Sequence, residues 1–217
     1  MNKEIIIIAG HYGVGKTNIA INMAIDFARE NKKVAVCDID VVNPYFKTAD
    51  AKEIFASKNI RLIMPNFANT NLDIPSLPAE IKSLFLSDEE VVIFDMGGDD
   101  QGATAISVYK DEIIKNGYSM YYVISEYRPM IKDPKNAYDM LVEIQNASGL
   151  KATAIINNSS IGIDTTATDI ESSCLYAEKV AKLCNLDIKA TTVMDYVDPK
   201  PNVLNMYVIN NYTKTIF

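Results

Sequence analysis

Residues 10–17 read GHYGVGKT, three glycines followed by a lysine and a hydroxyl side chain at the spacing G-x-x-x-x-G-K-[ST]. Residues of these types at this spacing handle phosphate. Gly10, Gly13 and Gly15 let a short turn aim successive backbone N–H groups at anionic oxygens, and a helix starting near Lys16 adds its positive end. Lys16 would neutralise β and γ oxygens, and the Thr17 hydroxyl would sit on Mg²⁺. Phosphoryl chemistry also needs carboxylates. VCDIDVVNPYF supplies Asp38 and Asp40, and VVIFDMGGDDQG supplies Asp95 with Gly97 and Gly98 behind it. Carboxylates at strand tips can hold Mg²⁺ through water, which makes Asp38, Asp40 and Asp95 metal candidates beside Thr17. Asp40, one residue beyond its strand, is also placed to orient an attacking water, and the glycine amides can approach a terminal phosphate closely. Asp99, Asp100 and Gln101 read as a solvated acidic turn, with Gln101 a second water-positioning candidate.

The elements that must hold these residues alternate along the chain. EIIIIA (4–9), KVAVCD (33–38), IRLIMP (60–65), EVVIFD (90–95), MYYVIS (120–125), ATAIIN (152–157) and IKATTVM (188–194) are apolar on consecutive residues, the pattern of strands covered on both faces. Helix-length segments lie between them, including 17–32, 47–59, 78–88, 103–116, 133–149 and 166–184. The rhythm predicts an α/β fold, a three-layer α/β/α sandwich around a mostly parallel sheet of about seven strands, in one domain spanning 1–217. The longest loops, 39–46, 66–76, 96–102 and 158–167, are where chemistry is expected, because parallel sheets carry their sites at the carboxyl edge.

Composition narrows the function classes. The chain has 217 residues and a formal charge of −7, which argues against broad electrostatic binding to nucleic acid. Its apolar runs are strand-sized, too short for a bilayer span, and MNKEIIIIAGHYG lacks the longer apolar region of a signal peptide, so a cytoplasmic location is expected. Cys37, Cys174 and Cys184 form no C-x-x-C pair and read as packing thiols.

The order of phosphate loop, D-x-D after the second strand and hydrophobic-D-x-G-G after the fourth resembles the MinD/ParA group of P-loop ATPases. Its wider superfamily includes nitrogenase iron protein, cobyrinic acid amidases and dethiobiotin synthetase. IRLIMPNFANTN and ATAIINNSS extend the resemblance over nearly the whole chain. It implies a P-loop NTPase fold and a cradle formed by the amides of residues 13–18, which adds Val14 and Asn18 to the cofactor contacts, with ATP and Mg²⁺ as cofactors. It further implies hydrolysis assisted by Asp40, magnesium's outer shell held by Asp95, and adenine met by Asn157 with Asp195 and Tyr196 nearby. The guanine-reading N/T-K-x-D is replaced by NNSS. The resemblance also implies an ATP-dependent homodimer and a protein partner.

The sequence departs from the family where a signature lysine usually follows the first glycine. His11, the chain's single histidine, stands there, and Tyr12 replaces a glycine. Either another cation such as Arg128 or Lys47 substitutes, or the two-chain sandwich weakens. The expected function is a Mg-dependent ATPase acting as a nucleotide-state switch through loops 39–47 and 96–102, with Tyr45 and Phe46 as contact candidates. Its rivals are an ATP-dependent small-molecule ligase or kinase using Arg128 and Lys132, and a silent nucleotide-binding regulator. VLNMYVINNYTKTIF reads as a short amphipathic helix, a poor match to a membrane anchor with its single lysine and better docked on the sheet.

Overall fold

A computed structural model describes residues 3–39, 51–64, 80–98 and 100–213. Its elements, in chain order, are β1 (Glu4–Ala9), α1 (Lys16–Arg29), β2 (Val34–Asp38), α2 (Lys52–Ser57), β3 (Arg61–Ile63), α3 (Glu80–Leu84), β4 (Val91–Asp95), α4 (Asp100–Ser107), α5 (Lys110–Asn116), β5 (Ser119–Ile124), α6 (Pro134–Ser148), β6 (Ala154–Asn157), α7 (Ala167–Cys184), β7 (Ile188–Met194) and β8 (Met206–Ile209). The seven apolar runs all become strands. They form one sheet with the order β3-β2-β4-β1-β5-β6-β7-β8, parallel at every pairing.

Burial explains the consecutive apolar residues. Ile5 through Ala9, all of β2 and all of β4 are buried, so both faces of the central strands meet other elements. Covering the four isoleucines of β1 contributes about 6–12 kcal/mol gross, at ~1.5–3 kcal/mol per side chain, before chain entropy is counted. α1 packs on β1, β2 and β4, while α6 lies between α4 and α7. Two helices start on sequence signals. Asp133 caps α6 by accepting from the Lys135 N–H at 2.7 Å, with Pro134 following it. Thr166 and Asp169 form a reciprocal capping box on α7, which ends at Asn185 in the left-handed region.

Three segments differ from expectation. Residues 103–116 form two helices, because the Tyr109 side chain turns inward beside Phe85, ring centroids 6.3 Å apart, and breaks the run. The acidic turn expected at 99–101 is helical from Asp100 onward. The C-terminal segment docks on the sheet as expected, but as an eighth strand rather than as a helix. Met206 and Val208 are exposed, and Tyr207 and Ile209 face the other way, the period of a strand. Beyond it the chain is gripped by a polar stripe on α1 at helical spacing. Asn22 Nδ2 donates to the Asn210 carbonyl and its Oδ1 accepts from the Asn210 N–H, both at 2.9 Å. The Tyr207 hydroxyl donates to Asp26 at 2.8 Å.

The sheet fixes where a ligand belongs. From β1 the chain crosses to one side, reaching β2 and β3, and from β4 it crosses to the other, reaching β5 onward. The carboxyl end of β1 is therefore the switch point, and residues 10–17 leave from it.

Candidate nucleotide site

The loop between β1 and α1 curls on its glycines. Gly10, Gly13 and Gly15 have φ of 147°, 77° and 87°, values side-chain-bearing residues rarely adopt. Gly15 stands at the N-cap of α1, so the first N–H groups of the helix open toward the loop's hollow. Lys16 is 6% exposed, and its Nζ donates to the His11 carbonyl at 3.1 Å, directing the ammonium toward the loop's crest. Val14 is buried beneath the loop, and its N–H reaches the His11 carbonyl at 3.4 Å. His11 turns Nδ1 onto the Tyr12 carbonyl at 2.9 Å, and Tyr12 is 55% exposed. Asn18 spends its side chain on the C-terminal segment, donating to the Asn210 carbonyl and accepting from the Tyr212 N–H, both at 2.9 Å. Only its backbone is directed by its place in the first turn of α1.

Two acidic tips stand beside this loop. Asp38 and Asp95 are register partners at the ends of β2 and β4, and both are buried. The Thr17 hydroxyl donates to Asp95 Oδ2 at 2.6 Å. Burial, and then the charges of Asp38 and Asp95, hold the Cys37 thiol well above its usual range, so this cysteine stays protonated inside β2. Beyond β4 the chain returns to the phosphate loop. A Cβ on Gly98 would lie 2.5 Å from the Tyr12 nitrogen, so only glycine permits this approach. Gly97 is buried against Gly102 at the start of α4. Asp40, Tyr45, Phe46, Lys47, Asp99 and the loop 66–76 lie outside the described residues.

Asn158 is a site residue that sequence reasoning passed over. Its Nδ2 donates to the Val14 carbonyl at 2.6 Å, and its Oδ1 accepts from the Thr192 hydroxyl of β7. The amide rests on Gly15, where a Cβ would come within 2.3 Å of Nδ2. One position earlier, Asn157 is fully buried and engaged on the other side. It donates to Ser173 of α7 at 2.9 Å and accepts from Ser159 at 2.7 Å. Successive residues of a strand face opposite ways, so of two adjacent asparagines one meets the helix and the other meets the loop. The doubled Asn was the visible signal, but which one faces the loop depends on the register of β6.

Asp195 and Tyr196 follow β7. Asp195 is exposed and its N–H donates to the Ile209 carbonyl at 2.9 Å, while Lys200 reaches the Asp195 carbonyl at 2.7 Å. The Tyr196 hydroxyl donates to the Gly162 carbonyl at 2.8 Å, tying the loop after β6 to the loop after β7. Partial burial moves that phenol's pKa upward, so it remains a donor at neutral pH. Among the described residues, no group of three or more His, Cys, Asp or Glu side chains is arranged to hold a metal, and no helix is long and apolar enough to cross a membrane.

A parallel sheet whose switch point carries a glycine-built anion loop, a buried lysine and a threonine bound to a strand-tip aspartate defines a nucleotide-binding P-loop protein. The family model for the CobQ/CobB/MinD/ParA nucleotide binding domain matches residues 5–215, and the chain belongs to that family. Solved structures agree on the fold. FtsY from Mycoplasma mycoides is similar at 19% identity and TM-score 0.55, over 86% of this chain and 59% of its own. The signal recognition particle 54 kDa protein from Aeropyrum pernix K1, in complex with GDP, is similar at 16% identity and TM-score 0.58, over 88% and 41%. Chloroplast FtsY from Physcomitrella patens gives 16% identity and TM-score 0.62, over 94% and 63%. The chain thus spans about 60% or less of the first two. No curated protein matches it in sequence.

Proposed function

We propose that this chain is a Mg-dependent ATPase of the MinD/ParA type, acting as a nucleotide-state switch for a protein partner. The observation that supports the reading most is the contact between Gly98 and the Tyr12 backbone. The segment after β4 rests on the crest of the phosphate loop, so a γ-phosphate entering there must be sensed by that segment. Loss of the phosphate on hydrolysis would release it.

The residues fit the nucleotide and its metal. Glycine at 13 and 15 lets the loop close against Arg128 and Asn158, which a Cβ would meet at 3.2 and 2.3 Å, and the Lys16 ammonium lies on the His11 carbonyl at the crest. Thr17 would hold magnesium, with Asp95, already its hydrogen-bond partner, and Asp38 receiving the metal's waters. Bound magnesium would neutralise charge on the β and γ oxygens. The chain's part is then positioning. The amides of residues 13–18 hold the phosphates, Gly97 and Gly98 close on the terminal one, and Asp40 orients the attacking water. Turnover is slow until a partner completes the arrangement.

Adenine is the proposed base. The five residues after Asn158 are Ser-Ser-Ile-Gly-Ile, with no carboxylate where a guanine-reading Asp would follow Asn. Asp195 and Tyr196 border the proposed base site. Asn157 reaches it only by giving up its bonds to Ser173 or Ser159. The proposed assembly is an ATP-dependent homodimer, with neither nucleic acid nor membrane as its target.

Calorimetry with ATP and GTP, on wild type and Lys16→Ala, tests the site. Wild type is expected to prefer ATP and the variant to bind neither. Equal affinity in wild type and variant would remove the phosphate-loop assignment, and a GTP preference would overturn the base. Light scattering with ATP and with ADP tests the switch. A mass that never doubles refutes the homodimer, and ADP release that depends on an added carboxylate identifies a ligase instead.

A further inference from the structure

The loop after β5 brings a second cation to the phosphate loop. Measured from the position a Cβ would take on Gly13, the Arg128 side chain lies at 3.2 Å for Cζ and 3.4 Å for both Nε and Nη1. Three guanidinium atoms at nearly equal distance mean that the planar group lies flat over the crest of the loop. Its neighbours are locked. The Tyr127 hydroxyl donates to the Asp169 carbonyl of α7 at 2.8 Å. Ile131 is fully buried, and its carbonyl accepts from the Tyr176 hydroxyl at 2.6 Å. Between these anchors the Arg128 carbonyl accepts from the Ile131 N–H at 3.0 Å, and a short 3-10 turn, Pro129–Ile131, follows.

This guanidinium has no ion pair or hydrogen bond to any described residue, in a chain of net charge −7. Arginine is the side chain suited to planar phosphate recognition. The side of the loop it covers is also informative. A phosphate-loop lysine reaches the β and γ phosphates, and Lys16 Nζ lies on the His11 carbonyl, two residues before Gly13. The outer end of a bound triphosphate therefore lies near residues 11–13, beside the guanidinium, whose N–H groups point outward in its plane.

We propose that Arg128 clamps the β–γ end of the triphosphate within its own chain, a catalytic arginine supplied in cis. The proposal rests on the nucleotide-switch reading above and deepens it. Arg128 meets the terminal phosphate, takes up the charge that moves onto the β–γ bridging oxygen as that bond breaks, and makes little contact with a diphosphate. Its anchored neighbours hold it there without help from a second copy.

The test uses the full chain as wild type, Arg128→Ala and Arg128→Lys. Calorimetry measures ADP and a non-hydrolysable ATP analogue, and single-turnover assays measure hydrolysis. Arg128→Ala is expected to weaken the analogue at least ~10-fold, leave ADP within ~2-fold, and slow single turnover by ~10³-fold or more, with partial recovery in Arg128→Lys. Far-UV circular dichroism checks that the exposed substitution leaves the fold intact. Wild type that binds no nucleotide would sink the site reading itself. Wild type that binds and hydrolyses ATP, with Arg128→Ala matching it, would sink only the role of Arg128. Mixing Arg128→Ala with Lys16→Ala decides the geometry: recovered hydrolysis means that the arginine arrives from the second copy and overturns action in cis.

Discussion

Asn158→Ala tests the brace beneath the phosphate loop. The substitution removes the donor to the Val14 carbonyl at 2.6 Å and the acceptor of the Thr192 hydroxyl. Thr192 retains an alternative acceptor in the Asn157 carbonyl at 3.3 Å, so its loss is confined to one net hydrogen bond, about 0.5–1.5 kcal/mol. The Val14 carbonyl has its amide partner taken away at a site where Val14 is 1% exposed and Asn158 is 7% exposed. Stranding such an acceptor costs about 1–3 kcal/mol, less if water fills the space left. Together the destabilisation is about 3 kcal/mol, a fall in Tm of about 6–12 °C for a chain of this size. The effect should reach the ligand, because the brace presses on Gly15 at the start of α1. Nucleotide affinity should drop about tenfold, read by calorimetry beside urea unfolding. A variant within 0.5 kcal/mol of wild type, with unchanged affinity, would show that Asn158 fills space and carries no strain of the loop.

Two further predictions concern Asp40 and alkaline pH. Asp40→Ala should retain ATP and hydrolyse it at least ~100-fold more slowly, and undiminished turnover in a rapid-quench assay would remove Asp40 from catalysis. Stability should be constant from neutral pH to about 9 and decline from there to about 11. Burial raises the Cys184 thiol from 9.0 to about 11, and it also raises Cys37, Tyr122, Tyr176 and Tyr207. Between the unfolded and folded values the native state binds more protons, so each step upward in pH favours unfolding. Urea midpoints that stay level through pH 11 would contradict the burial of these groups.

The seven core strands, the phosphate loop and the two acidic tips were legible in the sequence because each rests on local chemistry. Glycines permit left-handed turns, consecutive Ile and Val fit strands covered on both faces, and a hydroxyl after the lysine enters the first turn of a helix wherever that helix goes. The roles of Asn157 and Asn158 were not legible, since the register of β6 decides which faces α7 and which faces Val14. The break at Tyr109 and the joining of β8 to β7 were hidden as well. Each depends on a partner far away in the chain, Phe85 in one case and Thr191–Met194 in the other. Arg128 shows the division plainly. Sequence marked it as a cation in a loop after a strand, but only the packing of Tyr127 and Ile131 against α7 sets its guanidinium over Gly13. Backbone propensity acts over a few residues, whereas a site is assembled by side chains that meet only once the sheet has closed.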